Sequence, residues 1–190
     1  TPIYSMSQSL QTLKRQGQIS SHDDLAQDML QVIEKRAQHL LDFVASYSAF
    51  AKLPPAQKQT ISSEQLNTRL SAIFPELVIN SSEELYVDAD LGQLEQALIN
   101  LIKNAFEAGS NSAPSLTWSR LGDSLNIAIS DQGCGIQNPD NLFVPFYSTK
   151  ANGTGIGLVI TRELVRNQGF ELSINSKPQQ GTEANITVPI

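Results

Sequence analysis

Asn100, Asn104 and Glu107 stand at i, i+4 and i+7, a spacing that puts all three on one face of a helix. Two carboxamides on one face offer oxygens to a hard cation and donors to phosphate, and magnesium favours such oxygens beside substrate phosphates and retained waters. A solvated polar face is the competing reading of the pair. Downstream, Ser130-Asp131-Gln132-Gly133-Cys134-Gly135-Ile136 sets an acid before two glycines. The backbone can there turn tightly and approach a flat ligand, while Asp131 accepts from an exocyclic amine such as that of adenine. An ordinary glycine-rich turn would carry the same residues. The segment Leu142 to Lys150 is aromatic-rich and ends in a cation long enough to reach a terminal phosphate. Phe143 and Phe146 read as packing that anchors this loop, with Phe146 also a candidate ligand contact. Asn152-Gly153-Thr154-Gly155-Ile156-Gly157-Leu158 then opens a helix expected to run through Val165. Glycines at a helix start present free N–H groups and the positive end of the dipole to an anion.

These segments need a scaffold. Asp90, with Gln93 three residues on, signals a helix running to about Ala108, whose buried stripe is Leu94, Leu98, Leu101 and Ala105. Ser62 with Gln65 boxes a short helix carrying Leu66, Leu70 and Ile73. Extended stretches are expected around Leu77 to Asn80 and Leu85 to Val87. Ser115 to Arg120 and Leu125 to Ser130 alternate like strands across Gly122-Asp123, and Glu171 to Ser176 and Glu183 to Val188 do so across Pro178 to Gly181. Upstream, Leu30, Ile33, Ala37, Leu40, Val44, Tyr47 and Ala51 follow a heptad seam, and Ile3, Met6, Leu10 and Leu13 share its rhythm before a stop at Gly17. Two such helices, joined by a loop around Ser20 to Asp24, make an antiparallel hairpin. Met29, Val32, Leu41 and Phe43 flank the seam, and a second copy packed as a four-helix bundle would cover them. A homodimer is therefore expected. Leu53-Pro54-Pro55 ends the second helix. The organisation expected is α+β, with a dimerisation hairpin over 1–53, a linker over 54–61 and a ligand-binding domain over 62–190.

The composition narrows the function. A net charge of -6 over 190 residues opposes a nucleic-acid groove, so any polyanion must be held locally. The single cysteine, Cys134, permits no internal disulfide, no cysteine-histidine spacing suggests zinc, and a cytoplasmic setting follows naturally. No stretch approaches the roughly 20 apolar residues of a membrane span, so no membrane contact is expected. The opening Thr1-Pro2-Ile3, without methionine or signal peptide, reads as part of a longer protein that could carry an anchor elsewhere.

Taken in order, the asparagine helix, D-x-G-x-G, F-x-P-F-x-x-K and G-T-G-x-G-L resemble the N, G1, F and G2 boxes of the sensor histidine kinase catalytic domain, over about Leu91 to Leu158. Gly181-Thr182 resembles a further adenine-side element of the same GHKL, or Bergerat, fold, which gyrase-type ATPases and a heat-shock chaperone share. The resemblance implies an α/β sandwich that binds ATP and Mg2+. It implies that Asn104 is the principal magnesium ligand with Asn100 assisting, Asp131 the adenine contact, Gly133 and Gly135 the turn, and Lys150 a phosphate contact. Gly153, Thr154, Gly155, Ile156, Gly157 and Leu158 would form the phosphate loop under a lid, and Thr182 would join the nucleotide contacts. Thr1-Pro2-Ile3 resembles the tail of the H box, which would place the phospho-acceptor histidine about seven residues before Thr1. His22 and His39 stand in no such motif and read as a loop and a bundle-surface residue.

In the ATP-hydrolysing members of the fold a glutamate four residues before the magnesium asparagine activates water; Asn100 stands there, and a carboxamide takes up no proton. The first reading is therefore a kinase that moves the γ-phosphoryl of ATP to a histidine, for relay to an aspartate of a response-regulator receiver domain. That partner would dock around Ser5, Ser9 and Leu13. A GHKL-type ATPase and a degenerate nucleotide-binding scaffold are the alternatives. Glu107 departs from the pattern, since some members carry a basic, phosphate-touching residue there.

Overall fold

A computed structural model describes residues 53–190, apart from 82, 146, 149 and 151–154, together with Met29 and Ile33. Met29 and Ile33 are helical and exposed; the rest of the hairpin expected over 1–53, its pairing and its dimerisation lie outside the described residues. The chain divides into two units, Thr1–Ser48 and Ala49–Ile190.

In the second unit the strands are β1 (Gln59–Ser62), β2 (Val78–Ser81), β3 (Tyr86–Ala89), β4 (Ser115–Leu121), β5 (Ser124–Asp131), β6 (Glu171–Ser176) and β7 (Thr182–Pro189). The helices are α1 (Ser63–Ile73), α2 (Leu91–Phe106) and α3 (Gly157–Asn167), with a 3-10 turn at Pro139–Asn141. Five strands form a mixed sheet in the order β2-β4-β5-β7-β6, and β1 pairs antiparallel with β3 apart from it. Only β2 and β4 run parallel in the larger sheet. Parallel neighbours need a long crossover, here through β3 and α2.

Period-two alternation gives the sheet one buried face. Register places Leu116, Ile129, Ala184 and Ile174 in one row, and Trp118, Ile127, Ile186 and Leu172 in the next. Against these rows pack Leu94, Ala97, Leu98, Leu101, Ile102 and Ala105 of α2, none more than 4% exposed. Each fully buried leucine contributes about 1.5–3 kcal/mol relative to exposure. The helix is thus oriented by its apolar stripe, and its asparagine face is turned elsewhere.

Three expectations need correcting. The segment 54–61, read as a linker, contains β1 from Gln59 onward, because pairing with β3 buries Ile61 completely. Ile73, counted with Leu66 and Leu70 on the apolar face of α1, is 50% exposed at the last turn, where the helix leaves the core. α2 starts as expected but stops at Phe106, with Glu107 as its C-cap.

The start of α2 also departs from a reciprocal capping box. Asp90 Oδ1 accepts from Gln93 N–H at 3.0 Å, as the sequence signal requires. The Gln93 side chain does not reach back. Its Nε2 donates to the Pro54 carbonyl at 3.2 Å, its Oε1 accepts from Asn167 Nδ2, and the Asp90 N–H donates instead to Gln168 Oε1 at 2.8 Å. Gln57 N–H donates to the second Asp90 oxygen at 2.9 Å. These hydrogen bonds, led by that from Gln93, hold the Asp90 carboxyl below its ordinary value against the opposing effect of burial.

Candidate functional site

The polar face of α2 opens onto a cavity of ≈ 640 Å³ lined by Asn100, Asn104 and Glu107. Lys150, which also lines the cavity, reaches this face. Its Nζ donates to Asn104 Oδ1 at 3.2 Å and to Glu107 Oε2 at 2.6 Å. The Lys150 and Glu107 side chains are 39% and 43% exposed, so water and salt screen the pair. Asn100 Oδ1 accepts a longer bond, 3.4 Å, from Gln96 Nε2.

The sheet supplies the floor and the acid. Asp131 ends β5 and stands opposite Thr182, the first residue of β7, one pleat beyond the Ile129–Ala184 pair. The inward row therefore runs out of the core into the cavity and changes from apolar to polar as it does so. Ile129, Ile174 and Ala184 form an apolar floor, with Asp131 and Thr182 at its edge. Asp131 Oδ1 accepts from Gly133 N–H at 2.8 Å, which leaves Oδ2 as the oxygen for a ligand.

The glycine turn is gripped on both sides. Cys134 N–H donates to the Ala108 carbonyl at 3.0 Å, Gly181 N–H donates to Gly133 O at 3.1 Å, and Gln179 N–H donates to Cys134 O at 2.8 Å. Gly135 has φ 66°, and a Cβ there would overlap the Lys177 carbonyl. Both facts exclude a side chain. Ser176 Oγ accepts from Ile136 N–H at 2.9 Å and donates to Gly181 O at 2.8 Å. Having spent its proton, it accepts at 3.0 Å from the Thr182 hydroxyl.

Gly155, Gly157 and Leu158 line the cavity where α3 begins, and Ile156 is buried beneath them. Among the described residues no side chain caps this helix start, and helix-start N–H groups of this kind suit an anion. Arg162 of α3 places its guanidinium 4.6 Å from the Phe143 ring, which ties the aromatic segment to the helix. Phe146, Gly153 and Thr154 lie outside the described residues. Of the other residues named from the sequence, Asn100, Asn104, Asp131, Gly135, Lys150, Gly155, Gly157, Leu158 and Thr182 meet at one cavity. Gly133 and Ile156 support its wall without lining it.

Sequence reading missed the floor residues, although continuing the alternation of β5 and β7 one pleat further would have found Ile129 and Ala184. It also missed Asn138 and Tyr147, whose side chains join at 3.1 Å on the cavity wall. Nothing local marks that pair.

Among the described residues no three histidine, cysteine or acidic side chains gather into a metal site. A divalent cation would instead take carboxamide oxygens together with oxygens of the ligand. Asn104 Oδ1 already accepts from an ammonium and so faces the cavity in the orientation a cation requires. That donor set fits magnesium, which is content with few protein oxygens beside phosphate and water. None of the helices among the described residues is long and apolar enough to cross a membrane.

Comparison with known proteins follows the same residues. Residues 89–190 match the family model described as histidine kinase-, DNA gyrase B-, and HSP90-like ATPase. The chain is 34% identical over 107 residues to the sensor histidine kinase ZraS of Escherichia coli (strain K12), covering 55% of this chain and 23% of that protein. It is 36% identical over 110 residues to sporulation kinase B of Bacillus subtilis (strain 168), covering 56% and 26%. The chain thus spans about a quarter of the length of these curated relatives. The crystal structure of histidine kinase ThkA in complex with response regulator protein TrrA superposes with a TM-score of 0.68 at 20% identity, covering 100% of this chain and 57% of that one.

Proposed function

The chain belongs to the histidine kinase-, DNA gyrase B- and HSP90-like ATPase family, and on that premise we propose that it is the ATP-binding catalytic part of a sensor histidine kinase. Its reaction moves the γ-phosphoryl of Mg-ATP to a histidine of the dimerisation helix. One phosphorus–oxygen bond to ADP breaks, one phosphorus–nitrogen bond forms and the imidazole loses a proton. A response-regulator aspartate then takes the phosphoryl group.

The observation that carries this reading is Asn100, which lines the cavity one helical turn before Asn104. A carboxylate at that turn would draw a proton from water; a carboxamide does not, and ATP is kept for a better nucleophile. The two carboxylates that do line the wall are engaged, Asp131 with Gly133 N–H and Glu107 with Lys150. The remaining groups position the substrate. Adenine lies on Ile129, Ile174 and Ala184 with its amine donating to Asp131 Oδ2, and its phosphates meet the N–H groups at the start of α3 and the Lys150 ammonium. Asn104 and Asn100 would offer oxygens to magnesium, which would supply neutralisation of phosphate charge. Phosphoryl transfer depends mainly on such positioning and charge neutralisation.

Homodimerisation through the hairpin and docking of a receiver domain around Ser5, Ser9 and Leu13 complete the proposal. The response regulator bound to ThkA supports the kind of partner. A cytoplasmic setting follows from ATP as substrate.

Calorimetry with a non-hydrolysable ATP analogue and magnesium tests the site. Binding to the native chain that weakens at least tenfold in Asn104→Ala is expected, since a charge-assisted contact is worth about 1.5–3 kcal/mol. No binding to the native chain would overturn the assignment. Steady release of phosphate well above background would instead favour the ATPase reading.

A further inference from the structure

Lys150 sits 43 residues from Glu107 and 46 from Asn104 in sequence, yet its ammonium lies between their oxygens at 2.6 and 3.2 Å. The two oxygens serve different purposes. Asn104 Oδ1 is the atom best placed for a divalent cation, and an ammonium hydrogen-bonded to it competes for that place. Among the described residues the one side-chain partner of Glu107 is Lys150, at 2.6 Å. We infer that Glu107 is a positioning residue that latches the Lys150 ammonium over Asn104, so that a nucleoside triphosphate and its cation bind only when Lys150 exchanges Glu107 for the terminal phosphate.

The charges support an exchange and not a fixed bridge. Lys150 carries one positive charge, whereas the terminal phosphate of a triphosphate carries more negative charge than a carboxylate and is the better partner when it arrives. Once it turns to phosphate, Lys150 leaves Asn104 Oδ1 to the cation. Both members of the pair are partly exposed, so the latch is weak enough to be displaced by the substrate. A diphosphate, lacking the terminal group, gives Lys150 less to exchange for. The cost of opening the latch falls mainly on the triphosphate, so Glu107 narrows the site's preference for triphosphate over diphosphate. This rests on the nucleotide-site reading above.

The test compares the native chain with Glu107→Gln, which keeps size and hydrogen bonding but removes the charge. Calorimetry is run with the non-hydrolysable ATP analogue and with ADP, each over a magnesium titration. The latch predicts that E107Q binds the triphosphate about threefold to fivefold more tightly, the scale of a partly exposed ion pair. It predicts a smaller change for ADP and half-saturation at lower magnesium. ADP binding also reports that the variant is folded. Equal or weaker triphosphate binding by E107Q, with ADP binding retained, would overturn the latch and leave the nucleotide site standing. A native chain that binds neither nucleotide would overturn both.

Discussion

Gly133 lies directly against Ala108: a Cβ at 133 would overlap the Ala108 carbonyl oxygen, and the next residue, Cys134, donates its N–H to that same oxygen at 3.0 Å. The first turn beyond α2 and the first turn beyond β5 are therefore in backbone contact, with no room for a side chain between them. This contact sets how close the Asp131 edge of the site stands to the Asn104 edge. Gly133→Ala is expected to separate them. Overpacking of this kind costs about 1–3 kcal/mol. A drop in the urea midpoint together with weaker analogue binding is the expected result; an unchanged midpoint would show that the two turns are free to move apart.

Asn100 is where kinase and ATPase readings divide. Asn100→Glu places a carboxylate one turn before Asn104, on the wall of the cavity. A positioned general base contributes about 10²–10⁴-fold to proton transfer. Phosphate release at background in the native chain and a rise of at least tenfold in the variant are expected from a coupled phosphate assay. Native release already matching the variant would remove the proposed role of Asn100.

Asp90 makes stability depend on acid. Its folded pKa is held below the unfolded value of about 3.9. The stabilisation is therefore present above about pH 4 and disappears as pH falls through the folded value. Asp90→Asn keeps a capping oxygen and cannot titrate. The urea midpoint of the native chain should fall more steeply than that of D90N as pH drops below about 4, and parallel curves would assign the acid sensitivity to other carboxylates.

The segment entering the fold is held by side chains distant in sequence. Asn167 Nδ2 donates to the Pro54 carbonyl at 3.0 Å and to Gln93 Oε1 at 2.9 Å. Asn167→Ala should cost about 1 kcal/mol and speed amide exchange at Gln57, while a second change, Gln93→Ala, should cost less in that background than alone. Additive effects in thermal unfolding would show that the three groups do not act together.

The expected strands and helices were largely legible because their signals are local. Alternation over β4, β5 and β7 reports one buried face, and the i, i+4, i+7 spacing on α2 reports a shared polar face whatever lies opposite. Ser62 and Asp90 reveal helix starts because a cap bonds only two or three residues ahead. Ile73 misled because periodicity continues to the end of a helix even where the core beneath it has stopped.

The sequence by itself determined the faces and the caps, each set by neighbours within a few residues. Tertiary structure decided the partners. The sheet order β2-β4-β5-β7-β6 brought Asp131 opposite Thr182, the fold carried Lys150 to Glu107, and Gln168 took the Asp90 N–H that Gln93 would have satisfied in an isolated helix. Such pairings are invisible to periodicity because each donor has several acceptable acceptors. Which one it finds depends on how the whole chain closes around α2 and the sheet.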